Sequence, residues 1–201
     1  MRLTLTWWNS GLSPKRDPNR SSLTDMAVAI KVVLTLVQDF HADVIVLGEV
    51  SKSNVECIVS AINSALLEPF ESVGDSDEFM FGVLFKRSAI LVEFRAAIRI
   101  RQLNSEYRLA HEYRLFAIGC TDAIGLLVSH WPSRLNSGSA ATRELLGTRL
   151  RDKVESILSE ETMQHVIMLG DYNDEPFDKS LDQNLLATRD HFQVRRRGCL
   201  Y

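Results

Sequence analysis

The chain has 201 residues, 45% hydrophobic and 24% charged, which is enough apolar material for one sizeable core and far from disordered compositions. Its formal net charge of -3 excludes a protein held on nucleic acid by its overall field, so any contact with a polyanion has to be local. No apolar run approaches the roughly 20 residues of a membrane span, and no signal-like apolar segment opens the chain, so neither membrane insertion nor export is expected.

Residues 2–8 alternate Leu3, Leu5 and Trp7 against Arg2, Thr4 and Thr6, the period of a strand, and lead into a turn-rich stretch at 9–20. From Ser22 onward, Leu23, Met26, Ala27, Ile30, Val33, Leu34 and Val37 recur at helical spacing, with Ser22 and Asp25 as a capping pair. Residues 44–47 are apolar at consecutive positions, as in a strand buried on both faces, and Gly48 and Glu49 end it. Val55, Ile58, Val59, Ile62 and Leu66 mark a second helix. Short strands are then expected at 79–85, 90–94, 113–118 and 124–128. A third helix is expected at 140–158, with Leu145, Leu146, Leu150, Val154, Ile157 and Leu158 on its apolar positions, followed by a buried strand at 166–169. Buried strands mixed with alternating ones indicate layered sheets covered by helices, an α/β or α+β class. One domain over residues 1–201 is expected. Cys57, Cys120 and Cys199 are odd in number and widely spaced, giving neither a disulfide framework nor zinc spacing; a reducing, cytoplasmic setting is expected. Lys15, Arg16 and Arg20, and Arg195 to Arg197, form two basic clusters that read first as solvated surface charge.

Asn9, Glu49 and Asp171 each follow directly on an apolar strand, and ligand sites form where strand ends converge on one edge of a sheet. Taken singly, each is more readily a strand or turn cap. Together, their carboxylate and amide oxygens are hard ligands suited to Mg²⁺ or Mn²⁺, cations that bind through one or two carboxylates plus water and substrate phosphate.

The string Val166-Ile167-Met168-Leu169-Gly170-Asp171-Tyr172-Asn173 delivers Gly-Asp-aromatic-Asn from a buried strand. It resembles a signature of the endonuclease/exonuclease/phosphatase (deoxyribonuclease I-like) superfamily. Three further segments resemble that family in the same order: Trp7-Trp8-Asn9-Ser10-Gly11-Leu12, the glutamate strand from Val44 to Val50, and His130-Trp131-Pro132-Ser133-Arg134. One departure is Gly48, where the family usually has Gln before the glutamate.

The resemblance implies a four-layer sandwich, two packed β-sheets flanked by helices, and a divalent-metal-dependent phosphoester hydrolase. It implies Glu49 as principal ligand of Mg²⁺ or Mn²⁺, with Asn9 beside it and Asp171 at the same centre. Asp171 would orient or deprotonate the attacking water, Asn173 would hydrogen-bond the phosphate or nucleophile, and His130 would donate to the phosphate and assist the leaving oxygen. Arg114 and Arg134 are further candidates for phosphate contact, and Glu78 for the acid that orients His130. Trp131 reads as core or rim packing, with base stacking as its alternative.

The family's closing Asp-His motif on a last strand has no convincing counterpart. Asp190-His191 follows Asn173 too closely and lacks that strand, so the expectation is a chain that holds metal but turns over weakly. Its last sheet would be left with an exposed edge open to a homodimer or complementing partner. A nuclease acting on DNA or RNA is the expected function. A phosphomonoesterase on a soluble or lipid phosphate, and a non-catalytic interaction module retaining the fold, are the alternatives.

Overall fold

The computed structural model describes residues 2–14, 17, 19–74, 80–102, 104–135 and 139–188. Strand β1 (Leu5–Asn9) runs parallel to β2 (Val44–Gly48), pairing Leu5 with Val44 through Asn9 with Gly48. The crossover between them is helix α1 (Leu23–Gln38). Its start follows the Ser22 and Asp25 pattern: the Asp25 N–H donates to the Ser22 hydroxyl at 3.2 Å, and the Ser22 N–H returns a bond to the Asp25 carboxylate at 2.9 Å. The backbone and hydroxyl of Ser22 hold that carboxyl below its usual range. Helix α2 (Lys52–Ala65), capped the same way by Ser51 and Asn54, precedes β3 (Phe70–Val73) and β4 (Phe81–Lys86). These complete a first four-stranded sheet in the order β1-β2-β4-β3.

The second sheet has the order β5-β6-β7-β8, from β5 (Ile90–Gln102), β6 (Ser105–Ala117), β7 (Ala123–His130) and β8 (Met163–Asp171). Helix α3 (Ser139–Leu158) is the crossover between the parallel strands β7 and β8. A short π-helical turn, Ser180–Asn184, follows β8.

Alternation along the strands assigns every layer. Ile45 and Leu47 of β2 pack with Ala29 and Val33 of α1 and Ile58 and Ile62 of α2. Val44 and Val46, on the other face, meet Phe81, Val83, Tyr113, Leu115, Leu126 and Val128 between the sheets. Leu127, Met163, Leu146, Leu150 and Val154 form a third cluster under α3. The result is helices, sheet, sheet, helix: the expected four-layer sandwich, with β2 buried on both faces as its unbroken apolar run requires. Among the described residues no helix is long and apolar enough to cross a membrane, and Cys57 and Cys120 are both exposed.

Three features depart from the expected elements. The strands expected at 90–94 and 113–118 are the buried ends of two thirteen-residue strands. The β-bulge between Phe94 and Ala96 interrupts the alternation there. Strand β3 and the π-helical turn were not expected at all. The residues of the two basic clusters other than Arg20, together with Glu78, Asp190 and His191, lie outside the described residues.

Candidate active site

Two parallel pairs, β1 with β2 and β7 with β8, bring four strand ends to one edge of the sandwich. Register sets Asn9 beside Gly48, which precedes Glu49, and His130 beside Asp171. Across the sheets, the Asn9 amide donates to the Asp171 carboxylate at 3.5 Å, and His130 Nε2 lies 3.8 Å from Glu49 Oε1. Glu49, Asn9, His130 and Asp171, predicted from four separate segments, therefore form one constellation.

Backbone bonds fix each member. Glu49 has a left-handed φ of 54°, which costs a non-glycine residue roughly 1–2 kcal/mol. It is pinned there by its N–H donating to the Met80 carbonyl at 2.8 Å and by the Ser13 N–H donating to its own carbonyl at 2.6 Å. Asp171 accepts from the Asn173 N–H at 3.0 Å, and its carbonyl accepts from the Trp131 N–H at 2.9 Å. Asn173, also left-handed with φ 53°, donates from its side chain to the Trp131 carbonyl at 2.8 Å. Part of the amide predicted to reach substrate thus ties the Gly-Asp-Tyr-Asn loop to the His-Trp-Pro loop. Trp131 is buried, donates to the Leu109 carbonyl and meets Tyr172 edge-on, so it packs in the core and does not stack on a base. The buried Tyr172 phenol is pushed well above its ordinary pKa by burial and stays protonated.

A cleft of ≈ 590 Å³ opens beside the constellation, lined by Trp7, Asn9, Arg134, Asp171, Asn173 and Glu175 among others, though by neither Glu49 nor His130. Arg134 reaches this cleft, yet its guanidinium is engaged by Asp178, by Glu175 at 3.4 Å, by Asp174 at 3.5 Å and by the Asn173 carbonyl at 3.1 Å. Arg114 is a correction. It lies five residues down β7 from His130 in register, roughly 16 Å along the strand. Its nearly buried guanidinium pairs there with Glu160 at 2.7 Å and Glu112 at 2.9 Å. A strand arginine with acidic partners is a structural ion pair, and the Glu112 two positions away on the same face was its sequence signal.

Sequence reasoning missed Asp174 and Arg143. The Asp174 carboxylate is buried and binds Arg143 Nε at 2.6 Å and the Ser180 hydroxyl, while Arg143 Nη1 donates to the Pro132 carbonyl at 3.2 Å. These bonds tie the loop after Asp171 and the loop after His130 to α3. The position of Asp174 directly behind the motif was the only available signal.

The donor set fits a hard divalent cation. Asn9 Oδ1 is buried with no hydrogen-bond partner among the described residues, and an orphaned acceptor on a residue whose amide also meets the Asp171 carboxylate is complemented by a cation. No three His, Cys, Asp or Glu side chains among the described residues group as a metal site. An amide with one or two carboxylates is nevertheless a sufficient protein share for Mg²⁺.

A search of curated proteins gives no match. Solved structures share the fold. The D. rerio TDP2 complexed with single strand DNA product is 20% identical, with a TM-score of 0.58 over 99% of this chain and 66% of that one. The human Nocturnin catalytic domain with bound sulfate is 14% identical, with a TM-score of 0.56 over 95% and 73%. A Bacteroides thetaiotaomicron mannosyl-6-phosphatase is 12% identical, with a TM-score of 0.64 over 90% and 69%. This chain thus spans about two thirds to three quarters of their lengths. The sequence profile of the Endonuclease/Exonuclease/phosphatase family matches residues 15–198, nearly the whole chain, and the protein belongs to that family.

Proposed function

We propose that this protein is a divalent-metal-dependent phosphodiester hydrolase acting on nucleic acid. The observation that carries the reading is the meeting of Asn9 and Glu49 from one sheet with His130 and Asp171 from the other, with Asn9 Oδ1 buried and without a hydrogen-bond partner among the described residues. Glu49, Asn9 and Asp171 would hold Mg²⁺ or Mn²⁺, which when bound supplies Lewis-acid polarisation of the phosphate. Asp171, oriented by the Asn173 N–H, takes the proton of the attacking water at its carboxylate. His130 donates from Nε2 to a phosphate oxygen and assists the leaving oxygen. Asn173 steadies Asp171 and reaches the phosphate with what remains of its amide. Of the two phosphate arginines first considered, Arg134 is the one near enough to serve. The nuclease assignment draws support from the single-strand DNA product held by the D. rerio TDP2 that shares this fold.

Plasmid DNA, RNA and phosphate monoesters incubated with Mg²⁺, Mn²⁺ or chelator test this directly. Cleavage of a nucleic acid that requires metal is expected, with His130→Ala and Asp171→Asn each lowering turnover by about 10² or more at unchanged circular dichroism. Robust cleavage by His130→Ala would remove that residue from the chemistry. Release of phosphate from monoesters alone would replace the nuclease reading with a phosphatase.

A further inference from the structure

Glu49 stands in a backbone conformation that its own Cβ disfavours, and the bonds that keep it there lead to a buried polar pair outside the cleft. We propose that Ser13 and Asn54 are positioning residues of the metal centre, joined by a hydrogen bond that holds the Glu49 backbone so that its carboxylate faces the constellation. The inference rests on the metal reading of that centre and adds what keeps its principal ligand in place.

The bonds start at Glu49 itself. At φ 54° its Cβ is crowded by neighbouring backbone, and such a residue relaxes unless its surroundings over-determine it. Rotation about that φ carries Cβ, and with it the carboxylate, out of its present direction. The Glu49 N–H is held by the Met80 carbonyl, and the Glu49 carbonyl accepts from the loop after β1, from the Ser13 N–H at 2.6 Å and the Ser10 hydroxyl at 3.4 Å. A Cβ built at Gly11 would lie 3.8 Å from Glu49 Oε2, so the same loop passes over the carboxylate. That loop fixes Glu49 only if it is fixed in turn.

Ser13 supplies the hold. Its hydroxyl donates to Asn54 Oδ1 at 2.6 Å, and both residues are 7% exposed. Asn54 is the third residue of α2. Its Oδ1 also accepts from the Ser51 N–H at 3.0 Å and the Ser51 hydroxyl at 2.8 Å. Its Nδ2 donates to the Ser21 hydroxyl at 3.2 Å and towards Met26 Sδ at 3.4 Å. One side chain therefore joins the loop after β1, the first turn of α2 and the entry to α1. Buried polar groups are costly to part from their partners, which makes the link stiff.

The choice of residue supports the assignment. The corresponding position of α1 is Asp25, exposed and closing its own capping box. A carboxylate completes such a box by accepting alone. At 54 an amide accepts from Ser13 and Ser51 and donates towards α1, so capping by itself accounts neither for the asparagine nor for its burial.

Asn54→Ala would remove the cap of α2 and the link together, so Ser13→Ala is the deciding variant: it deletes one hydroxyl and leaves the Ser51 bonds to Asn54 in place. Calorimetric titration with Mn²⁺ is expected to show Ser13→Ala binding roughly tenfold more weakly than the wild type, the scale on which losing a group that orients a metal ligand acts. In the metal-free protein, the Ser13 and Glu49 amides should exchange hydrogen faster in Ser13→Ala, because the bonds that protect them open locally. Asn63→Ala cuts the two 2.9 Å bonds between the other end of α2 and Phe70; as the control for lost stability alone, it is expected to keep Mn²⁺ affinity within about twofold. Mn²⁺ affinity equal in Ser13→Ala and wild type overturns the inference, as does an equal loss in Asn63→Ala. A wild type that binds no Mn²⁺ defeats the metal reading, and exchange then decides the positioning of Glu49: unchanged protection of its amide in Ser13→Ala overturns it, and faster exchange sustains it.

Discussion

A Cβ built on Gly48 would lie 2.6 Å from Trp7 Cη2 and 3.0 Å from Cζ2, because the indole, packed at 6.0 Å on Phe81, lies over the residue before Glu49. This explains why the glutamate strand departs from the Gln usual at that position: a side chain at 48 and the Trp7 indole compete for one volume. Gly48→Gln alone is expected to destabilise the fold by roughly 1–3 kcal/mol, the scale of overpacking. The same change in a Trp7→Leu background should recover part of the loss, giving a coupling measurable by urea unfolding. Strictly additive effects would show that Trp7 does not dictate residue 48. At this scale Asn9, Glu49 and Asp171 announce themselves by following apolar runs, whereas His130 and Asn173 were legible only through the resemblance of their segments to the family. Arg114 was not. Its partner Glu160 stands 46 positions away in sequence, a separation that only the pairing of β7 with β8 closes.

Elements with an unbroken period were read closely: β2, α1 with its cap, α2 and α3 all appear where apolar spacing puts them. The hairpin was underestimated because Ala96 and Ala97 follow the bulge and break the alternation that resumes with Ile98 and Ile100. β3 is four residues with a single fully buried side chain, Phe70, too short to signal itself. The Arg143–Asp174 pair was invisible because it joins α3 to a loop and belongs to no period. Removing one partner of a buried pair strands the other's charge, and Asp174 also holds Ser180 of the π-helical turn. Arg143→Ala is therefore expected to cost about 3 kcal/mol and to lower turnover, since the Pro132 carbonyl that Arg143 holds is two residues from His130. Denaturant unfolding and steady-state kinetics measure the two effects. A change below about 0.5 kcal/mol, the ordinary surface range, would mean that Arg134 alone keeps Asp174 satisfied.

The layers themselves make the site. Asn9 and Glu49 belong to the first sheet and Asp171 to the second, so a cation held among them binds only after the inter-sheet core around Val46, Phe81, Tyr113 and Val128 has formed. A ligand that binds the folded chain alone stabilises it by mass action, by about 2.7 kcal/mol at a hundredfold excess over its Kd. For a chain of this length each kcal/mol moves Tm by roughly 2–4 °C. Saturating Mn²⁺ is therefore expected to raise Tm by roughly 5–11 °C in differential scanning calorimetry. Glu49→Gln should erase most of that rise, and Asp152→Asn, on the exposed side of α3, should keep it. This readout needs no substrate and no turnover, so it tests the metal site even if catalysis is weak. An equal rise in wild type and Glu49→Gln would place the cation elsewhere, and no rise at millimolar Mn²⁺ would remove metal from the constellation.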